Sequence, residues 1–151
     1  MWLNRRRTRQ GEGTLGLAID LVIVTPEGQA YSGEVEQVVL PGSEGDFGVL
    51  AEHERTLAPL QHGAVEIKTA AGSEWAAISN GFAEVAAERV VVLADSCVLA
   101  AAVDKTAVEA DMTEAQAELD GLADTEENTA KRTGLGEAIR QCEVRLEVAA
   151  K

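Results

Sequence analysis

The chain has 151 residues, 46% of them hydrophobic and 26% charged, with a formal net charge of −13. That length accommodates one ordinary core and a small appendage but not two catalytic domains. So acidic a chain is also a poor partner for a phosphate backbone, which argues against nucleic-acid binding.

The acids are unevenly spread, because Arg5, Arg6, Arg7 and Arg9 stand near the N-terminus with no carboxylate among them. Residues 1–16 read as a basic, disordered tail. Within them Gly11-Glu12-Gly13-Thr14-Leu15-Gly16 has the spacing of a dinucleotide fingerprint. That motif needs a strand before it and a helix after it, and here a basic tail precedes and a strand follows, so nucleotide binding is not expected. No apolar run approaches the roughly 20 residues of a membrane span, so membrane association is expected only through a partner. Cys97 and Cys142 lack the paired short spacing of zinc or redox sites and read as small buried hydrophobes.

Residues 17–102 read as short β-branched runs separated by turn chemistry, the pattern of a sandwich or barrel. The run Leu17 to Val24 ends in Thr25-Pro26-Glu27-Gly28, a type I turn signal with proline presetting one dihedral and glycine closing it. Glu34 to Leu40 begins with polar/apolar alternation and becomes wholly apolar, which predicts one strand whose later part is covered on both faces. Further strands are expected at 64–69, 74–79, 82–86, 90–94 and 97–100. Asn80-Gly81 gives the strongest hairpin signal. With aromatics at only 3%, Phe47, Phe82 and Trp75 are expected to be the few large fillers of an aliphatic core.

Residues 103–151 change period. Asp104 is a suitable N-cap, and Val108, Met112, Ala115, Leu119 and Leu122 form one helical stripe. Leu135, Ile139, Cys142, Leu146 and Ala149 form a second, and the polar segment 124–133 is expected to make the turn of an antiparallel αα-hairpin. Acids dominate the first helix, while Lys131, Arg132, Arg140 and Arg145 lie on the second and its approach. The seam uses Ala and Cys where Leu would bury more, and Gly134 and Gly136 cost about 1 kcal/mol each inside a helix. Such a hairpin is weakly held and able to open.

Little in the chain suggests catalysis. His53 lies between Glu52 and Glu54, but adjacent side chains diverge and rarely converge on one ion. Glu44 and Asp46 sit in a glycine-rich turn, Ser43-Glu44-Gly45-Asp46-Phe47-Gly48, where both carboxylates are solvated. An apolar ring with a polar rim suits a docking contact better than acid–base work. A plain solvated turn is the other reading.

Several segments, in register, resemble the epsilon subunit of the F-type ATP synthase, called delta in mitochondria. They are Val24 to Gly28 with Tyr31 to Val35, the loop Leu40 to Leu50, His53, Ser79 to Val85 and Val90 to Asp95. The resemblance implies a ten-stranded β-sandwich followed by a two-helix hairpin, in a central-stalk subunit with no catalytic residues of its own. It implies partners as well: Ser43, Glu44, Gly45, Asp46, Phe47 and Gly48 would face the c-subunit ring, and His53 would lie near the gamma subunit. The hairpin, through Lys131, Arg132, Arg140 and Arg145, would transiently meet the catalytic head and restrain ATP hydrolysis. The implied place is the cytoplasmic face of a bacterial plasma membrane.

The sequence also departs from the family pattern. Ala107 stands where an arginine is needed for regulatory ATP, so no cofactor or metal is expected. Glu54, Arg55 and Thr56 replace apolar or proline residues, and His62 replaces a proline. The rival reading is a free-standing sandwich adaptor or small-ligand binding protein.

Overall fold

The computed structural model describes residues 18–151, so the basic tail and the Gly11 to Gly16 motif lie outside the described residues. Ten strands come first: β1 Ile19–Thr25, β2 Gly28–Val35, β3 Gln37–Gly42, β4 Gly45–Leu50, β5 Thr56–Leu60, β6 Gly63–Thr69, β7 Gly72–Ile78, β8 Gly81–Val85, β9 Arg89–Ala94 and β10 Cys97–Leu99. Two helices follow, α1 Lys105–Asp120 and α2 Thr129–Ala149.

Hydrogen bonding runs β10-β7-β6-β3 with β4 beside β3, and β5-β8-β9-β1-β2. These are the two layers of a sandwich, joined by the single rung Gly42–Leu60. The β1–β9 pair is parallel. Alternation along each strand explains the core: Ile19, Leu21 and Ile23 of β1, beside Val90 and Val92 of β9, point inward from one layer and Val38 and Leu40 of β3 with Val65 and Ile67 of β6 from the other, all at 0% exposure. Each such side chain contributes about 1.5–3 kcal/mol when fully buried.

The structure corrects several expectations. Glu34 to Leu40 is not one strand, because the chain breaks at Glu36, where β2 ends in one layer and β3 begins in the other. The glycine-rich turn is mostly strand: β4 pairs with β3 over its whole length, and only Ser43 and Glu44 form the turn. β5 is an added strand, admitted despite Pro59 because it forms the edge of its layer, where a proline breaks no central ladder.

Asn80-Gly81 is not a hairpin. β7 and β8 belong to different layers, and this dipeptide carries the chain between them. Gly81 is needed for space, since a Cβ there would overlap the Leu93 carbonyl oxygen. The core-filler expectation also changes, because Ala83 and Val85 point inward and parity turns Phe82 outward, where it is 53% exposed. Trp75 is half-buried on the outer face of β7, and Phe47 packs at the rim of the core.

Both helix stripes meet as expected, with Val108 and Cys142 the buried members. Asp104 caps α1 by accepting a 3.2 Å bond from the Ala107 N–H. The connection is shifted from 124–133 to 121–128, because Thr129 already starts α2. Its closure is specific: Arg132 Nη1 donates to the Leu119 and Leu122 carbonyls at 3.4 and 2.8 Å, satisfying the C-terminal end of α1. Lys131 Nζ and Glu118 Oε1, 3.4 Å apart, form an ion pair between the helices.

α2 also presents a second face that the stripe did not reveal. Val144 and Val148 are buried against Ala77, with Ala64, Trp75, Ala100 and Val103 around them. Ala64 and Ala77 are cross-strand partners, so an all-alanine rung lets the helix approach the sheet closely. Burial pushes the thiols of Cys97 and Cys142 up, consistent with packed rather than reactive cysteines.

Glycine substitutions separate these roles. Gly81→Ala is expected to cost about 1–3 kcal/mol through overpacking, measured as a lower urea midpoint with an unchanged slope. Gly134 and Gly136 lie inside α2 with open space where a Cβ would stand. Alanine at either is expected to add about 1 kcal/mol to the helix, read from the thermal loss of helical circular dichroism.

Candidate docking surfaces

The β3–β4 hairpin ends in Ser43-Glu44, closed by Gly45 at a φ of +126°, which favours glycine. Ser43, Glu44, Gly45, Asp46 and Gly48 are exposed, as an accessible tip requires. Phe47 is different. Its ring crowds Gly42 and it packs against the core, so it supports the hairpin from beneath instead of projecting as a free anchor. The tip is braced by β5 and the residue after it, through the Ser43 N–H bonded to the Pro59 carbonyl at 3.1 Å and Gln61 Nε2 bonded to the Gly42 carbonyl at 3.1 Å.

His53 lies at the other end of the same strand pair, in the connection between β4 and β5. Glu52 turns the chain there with a φ of +66° and donates its N–H to the Ala87 carbonyl at 2.7 Å. His53 Nδ1 lies 2.7 Å from the Glu54 carbonyl oxygen, which can only accept. Nδ1 is therefore the protonated nitrogen, leaving Nε2 as the acceptor in the neutral ring. The tip and His53 are thus separated by the length of β4, and the structure does not bring them together.

Next to the tip, on the other layer, lies a surface that sequence reasoning missed. Pro59 of β5, Phe82 of β8, Leu93 of β9 and Val24 of β1 are successive cross-strand partners, forming one row across the outer face of the second layer. Phe82 and Leu93 are 53% and 54% exposed, and Leu57, one step along β5, is 70% exposed. A groove of about 620 Å³ runs over the row and is bordered by Pro26, Asn80 and Asp95. The available signal was parity. Once Ala83 is placed inward, Phe82 must point out, and Leu93 alternates in the same way with the buried Val92 and Ala94.

The four hairpin cations divide. Lys131 and Arg132 are engaged in closing the hairpin, and Arg132 Nε also lies 3.8 Å from Asp124. Arg140 is exposed and Arg145 half-buried; neither forms an ion pair among the described residues. Among the described residues no group of His, Cys, Asp and Glu is placed to hold a metal, and no helix is long and apolar enough to cross a membrane.

Residues 18–100 match the family model described as ATP synthase, Delta/Epsilon chain, beta-sandwich domain. An ATP synthase epsilon chain of Helicobacter acinonychis is 50% identical over 80 residues, which is 53% of this chain and 65% of that protein. The one from Magnetococcus marinus is 42% identical over 107 residues, 71% of this chain and 78% of that protein. The chain thus spans slightly under two thirds of the Helicobacter relative. In three dimensions, a chain of the Euglena gracilis mitochondrial ATP synthase, from its OSCP/F1/c-ring structure, superposes with a TM-score of 0.73 at 26% identity. That superposition covers 93% of this chain and 86% of the other. A chain from the Tetrahymena thermophila central stalk and c-ring shares the fold, with a TM-score of 0.56 at 14% identity. With its sandwich matched from residue 18 to residue 100, the chain belongs to the ATP synthase delta/epsilon family.

Proposed function

We propose that this chain is a non-catalytic rotor subunit in the central stalk of a proton-translocating F-type ATP synthase, coupling a c-subunit ring to gamma. The observation that carries this reading is the superposition of 93% of the chain, sandwich and hairpin together, on a subunit of an F1/c-ring assembly. Proton flow through the membrane sector turns the stalk and drives ATP formation in a head to which this chain adds no reacting group. A bacterial synthase of this kind places the chain at the cytoplasmic face of the plasma membrane.

Two surfaces divide the work. The exposed tip Ser43, Glu44, Gly45 and Asp46 meets the ring, and the apolar row of Leu57, Pro59, Phe82 and Leu93, together with the His53 end, meets gamma. The division follows from chemistry: a solvated acidic tip suits a polar loop surface, while an apolar row needs a partner that excludes water from it. Torque passes between the surfaces through a close-packed aliphatic core, which deforms little under load. The hairpin restrains ATP hydrolysis when it leaves the sandwich. Arg140 and Arg145, without ion pairs among the described residues, supply cations for the head, and Lys131 and Arg132 join them only once the hairpin opens. Regulatory ATP is not part of this reading, because Ala107 offers only its capped backbone N–H at the position where an arginine is needed.

Binding to gamma is measured by calorimetry with the full chain. The double substitution Phe82→Ser, Leu93→Ser is expected to weaken the complex by more than about 2 kcal/mol, a factor of about 30. Asp46→Ala is expected to leave gamma binding unchanged and to reduce the salt dependence of association with the ring-bearing membrane sector. No complex between the unmodified chain and gamma at micromolar concentration would instead favour a free-standing adaptor. Truncation after Val103 is expected to preserve the gamma complex and raise ATP hydrolysis by the assembled enzyme; unchanged hydrolysis would sink the restraint.

A further inference from the structure

The outer face of the second layer changes character along its strands. Where β1 starts, Asp20 lies between its cross-strand partners Glu34 of β2 and Arg89 of β9. Their neighbours Ile19, Val35 and Val90 are buried in the core, so alternation sets all three charged side chains on the outer side. Glu88, in the turn before β9, is held beside them, because its carbonyl accepts a 2.9 Å bond from the Asp20 N–H. One row on, Glu84 lines up with Leu57, Val91 and Val22. Beyond that row the face is apolar, with Phe82 and Leu93 exposed. One end of the face thus sets the carboxylates of Asp20, Glu34, Glu84 and Glu88 against the single guanidinium of Arg89, and the other end offers bare hydrocarbon.

The residues that precede this face in the chain carry the complementary groups in the complementary order. Leading away from Ala18 at the acidic edge come a glycine-rich stretch over residues 11–16, then Arg9, Arg7, Arg6 and Arg5, then Leu3 and Trp2. From Arg9 to Ala18 the chain can reach up to about 30 Å. Asp20 and Val24, which mark the acidic and apolar rows on β1, are only about 13 Å apart along the strand. We propose that residues 2–9 fold back over the outer face of β8, β9, β1 and β2, the arginines over the Asp20 and Glu34 end and Trp2 with Leu3 over Phe82 and Leu93, as a built-in cover that gamma displaces. That gamma is the displacing partner rests on the gamma reading above; the docking of the segment does not.

Two other anionic surfaces fit the arginines less well. The acids of α1 belong to the hairpin, which covers the outer face of the first layer, on the opposite side of the sandwich from β1. The exposed large apolar side chains among the described residues, Leu50, Leu57, Phe82 and Leu93, all lie on the sandwich, so the hairpin has no seat for Trp2. An anionic lipid surface lies at the wrong end. The tip proposed to meet the ring follows Gly42, and the rungs from Gly42 through Leu60, Gly81 and Ala94 lead to the end of β1, not to its start. Residue 19 therefore stands about 20 Å further from the ring.

The chain has two tryptophans, Trp2 and Trp75. In a Trp75→Phe background of the full chain Trp2 is the reporter, and its quenching by acrylamide is compared with that of a peptide of residues 1–16. Trp2 in the chain is expected to be quenched about fivefold less than in the peptide, as a segment docked in most molecules requires. Arg5→Ser, Arg6→Ser, Arg7→Ser and Arg9→Ser together are expected to restore the peptide value, and so is the pair Phe82→Ser, Leu93→Ser. The pair Glu109→Gln, Glu118→Gln, on α1, is expected to change nothing.

Trp2 as quenchable in the chain as in the peptide overturns the proposal. So does shielding that survives the arginine substitutions, is lost in the α1 variant, grows with protein concentration as docking on a second copy would, or arises only with vesicles of phosphatidylcholine and phosphatidylglycerol. Should the Phe82 and Leu93 variant lose its strand circular dichroism, the arginine variant decides, since residues 5–9 precede the sandwich. Gamma binding is the separate arm. Deletion of residues 2–10 is expected to tighten it about tenfold, as for a cover in place on nine molecules in ten. A shielded Trp2 with unchanged gamma affinity rejects the competition and leaves the docking standing; no gamma binding by either form rejects the gamma reading alone.

Discussion

The structure depends on the exclusion of water from between two five-stranded layers by aliphatic side chains alone. Valine, isoleucine and leucine at every second position fill that space with Ala76 and Ala83 between them, and no aromatic ring lies at its centre. Branched aliphatic residues pack closely with few rotamers to lose, so the sandwich is stiff for its size. Stiffness matters in a part proposed to transmit rotation, because a soft core would absorb the twist.

Filling the interior this way leaves the two outer faces to do different things. The outer face of β6 and β7 is built from small residues at Ala64 and Ala77, and α2 covers it. The outer face of β5, β8 and β9 carries Leu57, Pro59, Phe82 and Leu93, and nothing in the chain's described residues covers it. One face is therefore closed by the protein itself, and the other is left bare among the described residues. The few large side chains follow this division: Trp75 serves the hairpin, Phe82 serves the bare face, and Phe47 supports the tip between them.

Charge is arranged on the same plan. Arg132 and Lys131 hold the hairpin shut by meeting carbonyl and carboxylate groups of α1 and its following turn, whereas Arg140 and Arg145 form no ion pair among the described residues. Surface ion pairs contribute only about 0–1 kcal/mol each. The carbonyl-capping role of Arg132 is thus the more consequential, since it satisfies groups that would otherwise face water alone at a helix end.

Much was legible in the residues themselves. Period-two runs ending in turn chemistry identified most strands, the shift to period 3.6 after Asp104 identified both helices with their facing stripes, and several segments in register, Leu40 to Leu50 among them, marked the family. These are local signals, written in spacing and in the dihedral preferences of proline and glycine. What the tertiary structure alone decided was which strands pair. Asn80-Gly81 has the chemistry of a hairpin but serves as a crossing between layers, because pairing depends on partners distant in sequence and Gly81 was required for clearance against Leu93. The same holds for Phe82, turned outward by the parity of β8, and for Val144 and Val148, whose burial exists only because an alanine rung lies opposite them. Sequence determines the face a side chain occupies relative to its neighbours; only the assembled layers determine whether that face meets a core, a helix or a partner.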